Sequence, residues 1–190
     1  MEKVKLKDIA EVYSGLTFLR YKDDNGTLKK MIVQRSIKNG EKVSDFEEIR
    51  FNDKMNERYL TQKGDVLMKT MYPFDTTYVD EEGLVIGDRI AIIRLKEGYD
   101  PSFITHLFNN FHIKKQLHRV KSVGSISQVS VREIKELELV IPNYEEQKQF
   151  AELFDYIDEK ININYQIIET DKKMKEGILN KLIEGCDINE

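Results

Sequence analysis

The sequence predicts an α+β protein: one globular domain of mixed α and β structure over residues 1–142, then a long helix over 143–184 and a short tail, 185–190. Two observations lead to this prediction. In the first part of the chain, short β-rich runs alternate with turn residues, which is typical of a mixed sheet. After Pro142 the chain contains no further proline, has only Gly177 as a glycine before residue 185, and repeats apolar residues at helical spacing.

The globular part is predicted from its runs and turns in chain order. Asp23-Asp24-Asn25-Gly26 predicts a hairpin turn. A helix is predicted after Asp100, where apolar residues from Phe103 to Leu117 share one face. Ser130 and Glu133 predict a capping box at the start of a short helix. The predicted strands, rich in β-branched residues, are residues 31–37, 65–69, 76–79, 89–95 and 137–141.

The long helix has a well-marked start and a length that requires a partner. Asn143 is predicted as the N-cap, and Glu146 three residues later completes a capping box. A helix of about 42 residues is roughly 60 Å long, about twice the diameter of a small domain. The alternative is an ordinary amphipathic helix folded against its own domain.

Apolar residues form a seam along this helix. Alternate steps of four and three from Phe150 give ten positions, of which seven are apolar. Such a seam predicts a coiled-coil-like contact between two chains, with Asn164, Asp171 and Lys175 as polar interruptions. The positions predicted for dimerisation are Phe150, Phe154, Ile157, Ile161, Asn164, Ile168, Ile178 and Leu182. A second apolar row beside the seam consists of Leu153, Tyr156, Ile163, Ile167 and Met174.

Composition excludes several classes of protein. No apolar run approaches the roughly 18 residues that span a bilayer, and no signal-peptide core follows the charged start, so we expect a soluble, cytoplasmic protein. Cys186 is the only cysteine, which excludes an intrachain disulfide and a cysteine-based zinc site.

Charge is unevenly distributed along the chain. The formal net charge is −4, but residues 143–190 hold 6 Lys/Arg and 12 Asp/Glu, whereas residues 1–142 hold 24 and 22. Two segments of the first part are basic: residues 29–42 carry net +4 and residues 103–135 carry net +5. A local positive field attracts phosphate, although plain solvated faces also produce such clusters.

No catalytic or metal-binding constellation is visible in the sequence. His106, His112 and His118 are six residues apart, so on one helix each is rotated about 240° from the last and they cannot share a metal. The segment Gly83–Gly87 lacks the Lys-Ser/Thr that completes a phosphate loop. We therefore expect a binding protein with no catalytic residue, no metal and no cofactor of its own.

Three segments resemble one known family, the specificity (S) subunits of Type I restriction-modification systems. The segments are the opening Val4–Gly15, the Gly-Asp strand segment Thr61–Lys69, and Ile126–Ile161, which runs from a short helix and strand into the long helix. The resemblance covers essentially the whole chain. Usual family members are about twice as long and carry two target-recognition domains and two antiparallel spacer helices, so this chain resembles a half-length form.

The resemblance implies a non-catalytic DNA-binding subunit. Residues 1–142 would be the target-recognition domain and residues 143–184 the spacer and dimerisation helix. Two copies would then read a bipartite site of two inverted half-sites on double-stranded DNA. Methyltransferase (modification) subunits would dock on the helix and bring S-adenosylmethionine, and a restriction subunit would bring ATP. The alternatives are a detached recognition domain of a larger DNA methyltransferase and a coiled-coil adaptor that does not bind DNA.

A domain of this kind holds phosphates with cations and reads bases through groove edges. For any single residue, the alternative is a surface position without a role. The side chains predicted to position the DNA backbone are Lys114, Lys115, Arg119 and Lys121, together with Arg35, Lys38, Lys69 and Arg89. Those predicted to read base edges are Gln34, Arg35, Tyr72, Ser125 and Gln128.

Overall fold

The computed structural model describes residues 2–52, 54–120 and 128–186 and separates into two units, Met1–Ala151 and Glu152–Glu190. The described strands are β1 (Glu2–Lys5), β2 (Ala10–Ser14), β3 (Lys22–Ile32), β4 (Glu47–Phe51), β5 (Val66–Lys69), β6 (Thr76–Tyr78), β7 (Val85–Ile86), β8 (Ile90–Leu95) and β9 (Glu138–Ile141). The described α-helices are α1 (Leu6–Ile9), α2 (Pro101–Asn109), α3 (Phe111–Val120), α4 (Val131–Lys135) and α5 (Tyr144–Cys186). Short 3₁₀ helices are Phe18–Arg20, Gln34–Ser36 and Glu57–Tyr59.

The described strands of the first unit form three sheets. The largest is antiparallel, with strand order β2-β8-β5-β6. In the second sheet β3 lies between β4 and β7, antiparallel to β4 and parallel to β7. The third sheet pairs β1 with β9 in antiparallel orientation, so that strands from opposite ends of the domain are neighbours. The predicted α+β fold class, with its long C-terminal helix, is confirmed.

The central strand β8 is buried on both faces. Ala91 and Ile93 pack in one core with the buried side chains of α2, α3 and α4, and Ile90 and Ile92 pack in a second core on the other face. A continuous apolar run is what a strand covered on both faces requires. This strand and β5, β6 and β9 lie within one residue of their predicted bounds at each end.

Two predictions in the first forty residues are wrong. The strand predicted over residues 31–37 ends at Ile32, because the Ser36 hydroxyl accepts a hydrogen bond from Val33 N and closes a 3₁₀ turn instead. The segment Asp23–Gly26 is a bulge inside β3, not a hairpin turn. Gly26 is required there because a Cβ atom would lie 2.2 Å from the carbonyl oxygen of Phe51 on β4.

The helix predicted after Asp100 is two helices. Asn110 has extended backbone angles and ends α2, and its side chain accepts a hydrogen bond from His112 N at the start of α3. Asparagine is a preferred residue at such a start. The break separates the three histidines onto two helices. Among the described residues, no group of three or more His, Cys, Asp or Glu side chains is placed to hold a metal.

The start of α5 is confirmed in detail. Asn143 Oδ1 accepts a hydrogen bond from Glu146 N at 3.0 Å, and Glu146 Oε2 accepts one from Asn143 N at 3.2 Å. Gln147 is buried in the first turn, where its Nε2 donates to Pro142 O and its Oε1 accepts from Asp100 N, both at 3.0 Å. In the described part of the chain, no helix has the length and apolarity needed to cross a membrane.

Candidate nucleic-acid interface

The connection between β5 and β6, residues 70–75 (the β5–β6 turn), is fixed to two distant segments by Thr70. Thr70 N and Oγ1 donate to Arg89 O at 2.9 and 3.0 Å, and Thr70 O accepts from Val129 N at 2.8 Å. Gln128 forms a strand-like bridge to the same turn. Three residues that are predicted to contact DNA are therefore close together: Tyr72 in the turn, Arg89 before β8 and Gln128 before α4.

Tyr72 presents an exposed aromatic ring at the tip of this turn. The residue is 72% exposed, and its ring lies edge-on to the rings of buried Phe74 and of His118, at centroid distances of 6.2 and 6.4 Å. Phe74 and Arg89 both have positive φ, 59° and 57°, which is uncommon outside glycine. The turn therefore holds a large ring at the surface by packing it against a buried one.

One face of α3 continues this surface. Phe111, Lys115 and His118 are spaced four and three residues apart, so they share a helical face. Phe111 is 70% exposed, and Lys115 Nζ lies 5.9 Å from the centre of its ring. We call Tyr72, Phe111, Lys115, His118 and the adjacent Arg119 the α3 surface. It combines cations with exposed rings, the two kinds of group that contact nucleic-acid phosphates and bases.

Asp75 lies between two lysines at the end of the same turn. Its Oδ2 is 3.0 Å from Lys69 Nζ and its Oδ1 is 3.5 Å from Lys114 Nζ. The three side chains are only 16–22% exposed. Lys114 also donates to Asn39 Oδ1 at 3.3 Å, and Thr77 Oγ1 donates to Glu41 O at 2.7 Å. The structure thus brings the two basic segments of the sequence together beside β6.

The predicted residues of the first basic segment are partly neutralised by acidic neighbours. Arg35 is ion-paired with Asp45 at 3.1 Å and with Glu47 at 2.7 Å, and the hydrogen bond to Glu47 raises the pKa of the guanidinium. Lys38 lies 3.5 Å from Glu41. Gln34 is half-buried in the 3₁₀ turn beside Arg35.

Several residues of the candidate interface were not predicted from the sequence. Phe111 was expected on the apolar face of a single helix, yet the break at Asn110 turns it to solvent. Thr70, Asp75 and His118 give no sequence signal, because their contacts join distant segments. Lys121 and Ser125 lie outside the described residues. The DNA-binding roles of the predicted residues stay predictions.

The apolar seam of α5 is exposed in the second unit. Seam residues Ile157, Ile161, Ile168, Ile178 and Leu182 are 43–62% exposed. The second apolar row is exposed to a similar extent: Leu153, Tyr156, Ile163, Ile167 and Met174. Apolar stripes of this length are typical of helices that pack against another helix.

Two solved structures of similar fold are S subunits, and a third concerns the type I R-M system. The HsdS subunit of Thermoanaerobacter tengcongensis is 14% identical, with a TM-score of 0.60 over 85% of this chain and 38% of that one. The S subunit of M. genitalium is 18% identical, with a TM-score of 0.53 over 90% and 42%. A structure on complex assembly and conformational transition of the type I R-M system is 15% identical, with a TM-score of 0.68 over 92% and 43%.

The chain therefore spans about two-fifths of the length of the solved structures that it matches. At these identities the likeness establishes the fold. No curated protein is similar enough in sequence to count as a relative.

A family model matches residues 1–170, and its description is "Type I restriction modification DNA specificity domain". The match covers the whole of the first unit and continues well into α5. It confirms the family resemblance and the expectation that the chain is a non-catalytic specificity component. The chain thus belongs to the family of Type I restriction modification DNA specificity domains.

Proposed function

We propose that this chain is the sequence-specific DNA-recognition subunit of a Type I restriction-modification complex. The observation that carries the proposal is the family match over residues 1–170. Chemistry would come from partner subunits, with methyltransferase subunits supplying methyl transfer and a restriction subunit supplying cleavage. The related structure concerned with assembly of a type I R-M system supports docking to such partners.

Within the recognition domain, residues 1–142, the α3 surface and the β5–β6 turn form the proposed contact with DNA. Lys115, Arg119 and Arg89 are exposed cations, and we assign the main phosphate contacts to them. Tyr72 reads base edges from the tip of the turn. The remaining proposed contacts are Gln34, Arg35, Lys38, Lys121, Ser125 and Gln128, whereas the predicted phosphate contacts Lys69 and Lys114 are ion-paired with Asp75.

The helix over residues 143–184 is the proposed spacer and dimerisation element. Its exposed seam pairs with the same seam of a second copy, and the second apolar row is left for methyltransferase subunits. Two-fold symmetry gives two identical recognition domains and hence a bipartite site with inverted half-sites. The length of the paired helices sets the unread gap between the half-sites.

Charge reversal on the α3 surface tests the DNA interface. Lys115→Glu combined with Arg119→Glu removes two phosphate contacts without breaking an ion pair of the described residues. DNA affinity of the complex with methyltransferase subunits should fall for every sequence, and the slope of log K against log salt should become shallower by about 1.8. Gel shifts at several salt concentrations measure both quantities.

A matched control separates a local effect from one of net charge. Lys54→Glu combined with Lys63→Glu changes charge equally, and exposed Lys63 precedes β5, at the opposite end of that strand from the turn. Equal losses of DNA affinity in the two double variants would show that DNA does not bind at the α3 surface. If the wild-type complex shows no salt-dependent binding to DNA, the result would favour the coiled-coil adaptor that does not bind DNA. Methyl transfer by the purified chain alone would favour the alternative of a DNA methyltransferase.

A further inference from the structure

We propose that Asp75 is a specificity-determining residue that keeps the charges of Lys69 and Lys114 from contacting DNA phosphates of any sequence. The inference rests on the proposed DNA-recognition function. It adds a role for the Asp75 carboxylate in limiting binding to DNA of unrelated sequence. A recognition subunit needs cations to hold DNA, yet each uncompensated cation also strengthens binding to the wrong DNA.

The geometry sets Lys69 and Lys114 apart from the other cations of this surface. Each oxygen of Asp75 faces a different lysine, Oδ2 toward Lys69 at 3.0 Å and Oδ1 toward Lys114 at 3.5 Å. The backbone supports this arrangement, because Lys69 N donates to Asp75 O at 2.9 Å and closes the turn. Asn39 Oδ1 accepts from Lys114 on another side.

The ion pairs of Asp75 with Lys69 and Lys114 are partly shielded from solvent. All three side chains are 16–22% exposed, so salt screens the attraction less than it screens pairs in open solvent. A phosphate that approaches Lys114 must displace a carboxylate already in place. Lys115, the next residue on α3, is exposed and faces the ring of Phe111 instead.

The consequence concerns the ratio of specific to non-specific affinity. Non-specific binding depends on the number of phosphates that cations neutralise, whereas specific binding also depends on base contacts. With Asp75 in place, the three groups carry net +1 where the two lysines alone would carry +2. Specificity rises when contacts that do not distinguish sequences are suppressed.

Asp75→Asn tests the proposal with little change in shape. In the complex with methyltransferase subunits, affinity for DNA of unrelated sequence should rise roughly tenfold at low salt, with a slope steeper by up to about 1.8. Affinity for the preferred site should rise less, so the specificity ratio falls. Asp80→Asn is the matched control, since it removes the same charge from an exposed position beyond the other end of β6.

A second pair of variants tests the same point without altering the carboxylate. Lys114→Met should change non-specific affinity and the salt slope much less than Lys115→Met, which should make the slope shallower by about 0.9. Equal effects of these neighbouring substitutions would overturn the proposal. So would an Asp75→Asn variant that matches Asp80→Asn, or one that loses only specific affinity, since Asp75 would then read a base itself.

Failure of the proposed function gives a different result. If the wild-type complex shows no salt-dependent binding to any DNA, the recognition function and this inference fall together. If the wild type binds with a normal salt slope and the Asp75 and Lys114 variants do not behave as described, only the inference falls.

Discussion

Asp65 is almost completely removed from water, with 1% of its side chain exposed, and Arg94 holds both of its oxygens. Arg94 Nε and Nη2 donate to Oδ1 and Oδ2 at 2.9 and 2.8 Å, a bidentate geometry. Gln62 N donates to Oδ2 as well, at 2.8 Å, across a turn in which Gly64 has φ of +84°. This explains the Gly-Asp pair in the segment that resembles the specificity family: the glycine permits the turn, and the aspartate ties it to β8.

Asp65→Ala should destabilise the domain by about 3 kcal/mol. The substitution leaves the Arg94 guanidinium largely buried without its partner, and removing one member of such a pair costs roughly 3–5 kcal/mol. Urea unfolding monitored by circular dichroism measures the loss. Asp88→Ala, at an exposed position, should change stability by less than about 0.5 kcal/mol. Similar midpoints for the two variants would show that the Arg94 pair contributes little.

Among the elements, β1 and β9 are joined by ion pairs as well as by backbone hydrogen bonds. Glu136, just before β9, accepts from Lys5 Nζ at 2.8 Å and from Lys7 Nζ at 2.7 Å. Lys3 pairs with Glu138 at 2.6 Å. Hydrogen bonds from Lys5 and then Lys7 lower the pKa of Glu136 from its ordinary value of 4.5 to about 2, and Lys3 lowers the pKa of Glu138.

The pairing of β1 should therefore weaken in acid. A carboxylate whose folded pKa is depressed contributes stability above its unfolded pKa, here about 4.5, and that contribution is lost as pH falls toward 2. Hydrogen exchange of the β1 amides should show protection that declines over this window and declines earlier in high salt. In Glu136→Gln much of the pH dependence should be absent. An unchanged profile in that variant would contradict the assignment to Glu136.

The elements that the sequence predicted are those with a local signal. The apolar run of β8 and the capping box of α5 depend on residues close together in the chain, and both are present. The bulge at Asp23–Gly26 depends on β4, which pairs with it from a distance. At Asn110 the signal was available, because asparagine is a common N-cap, but the continuous apolar face on both sides obscured it.

For the molecule as a whole, the exposed seam of α5 predicts that subunits associate. Ile157→Asp combined with Ile161→Asp places two charges in the apolar seam and should convert a dimer into monomers. Light scattering gives the mass. Asn162→Asp combined with Gln166→Asp adds the same charge at the same four-residue spacing on polar positions and should remain dimeric. If the isoleucine variant also stays dimeric, the chains pair through another surface.

The candidate DNA interface was only partly predictable at this scale. The two basic segments are visible in the sequence, and the structure places them side by side at β6. The sequence does not show which cations lack an acidic partner. Asp75 pairs with Lys69, and Asp45 and Glu47 pair with Arg35, only in the folded chain. Net charge by segment therefore indicates the candidate surface but overcounts its uncompensated positive charge.

The antiparallel pairing of β1 with β9 also has a consequence for biosynthesis. Glu2 is paired with Ile141, so β1 is synthesised long before its partner strand and can pair only after nearly all of the domain has been made. Contacts between such distant segments form slowly, and an unpaired strand is open to association with other nascent chains in the meantime. A ribosome that pauses before Leu139 holds a chain in which β8 is complete and β1 still has no partner strand.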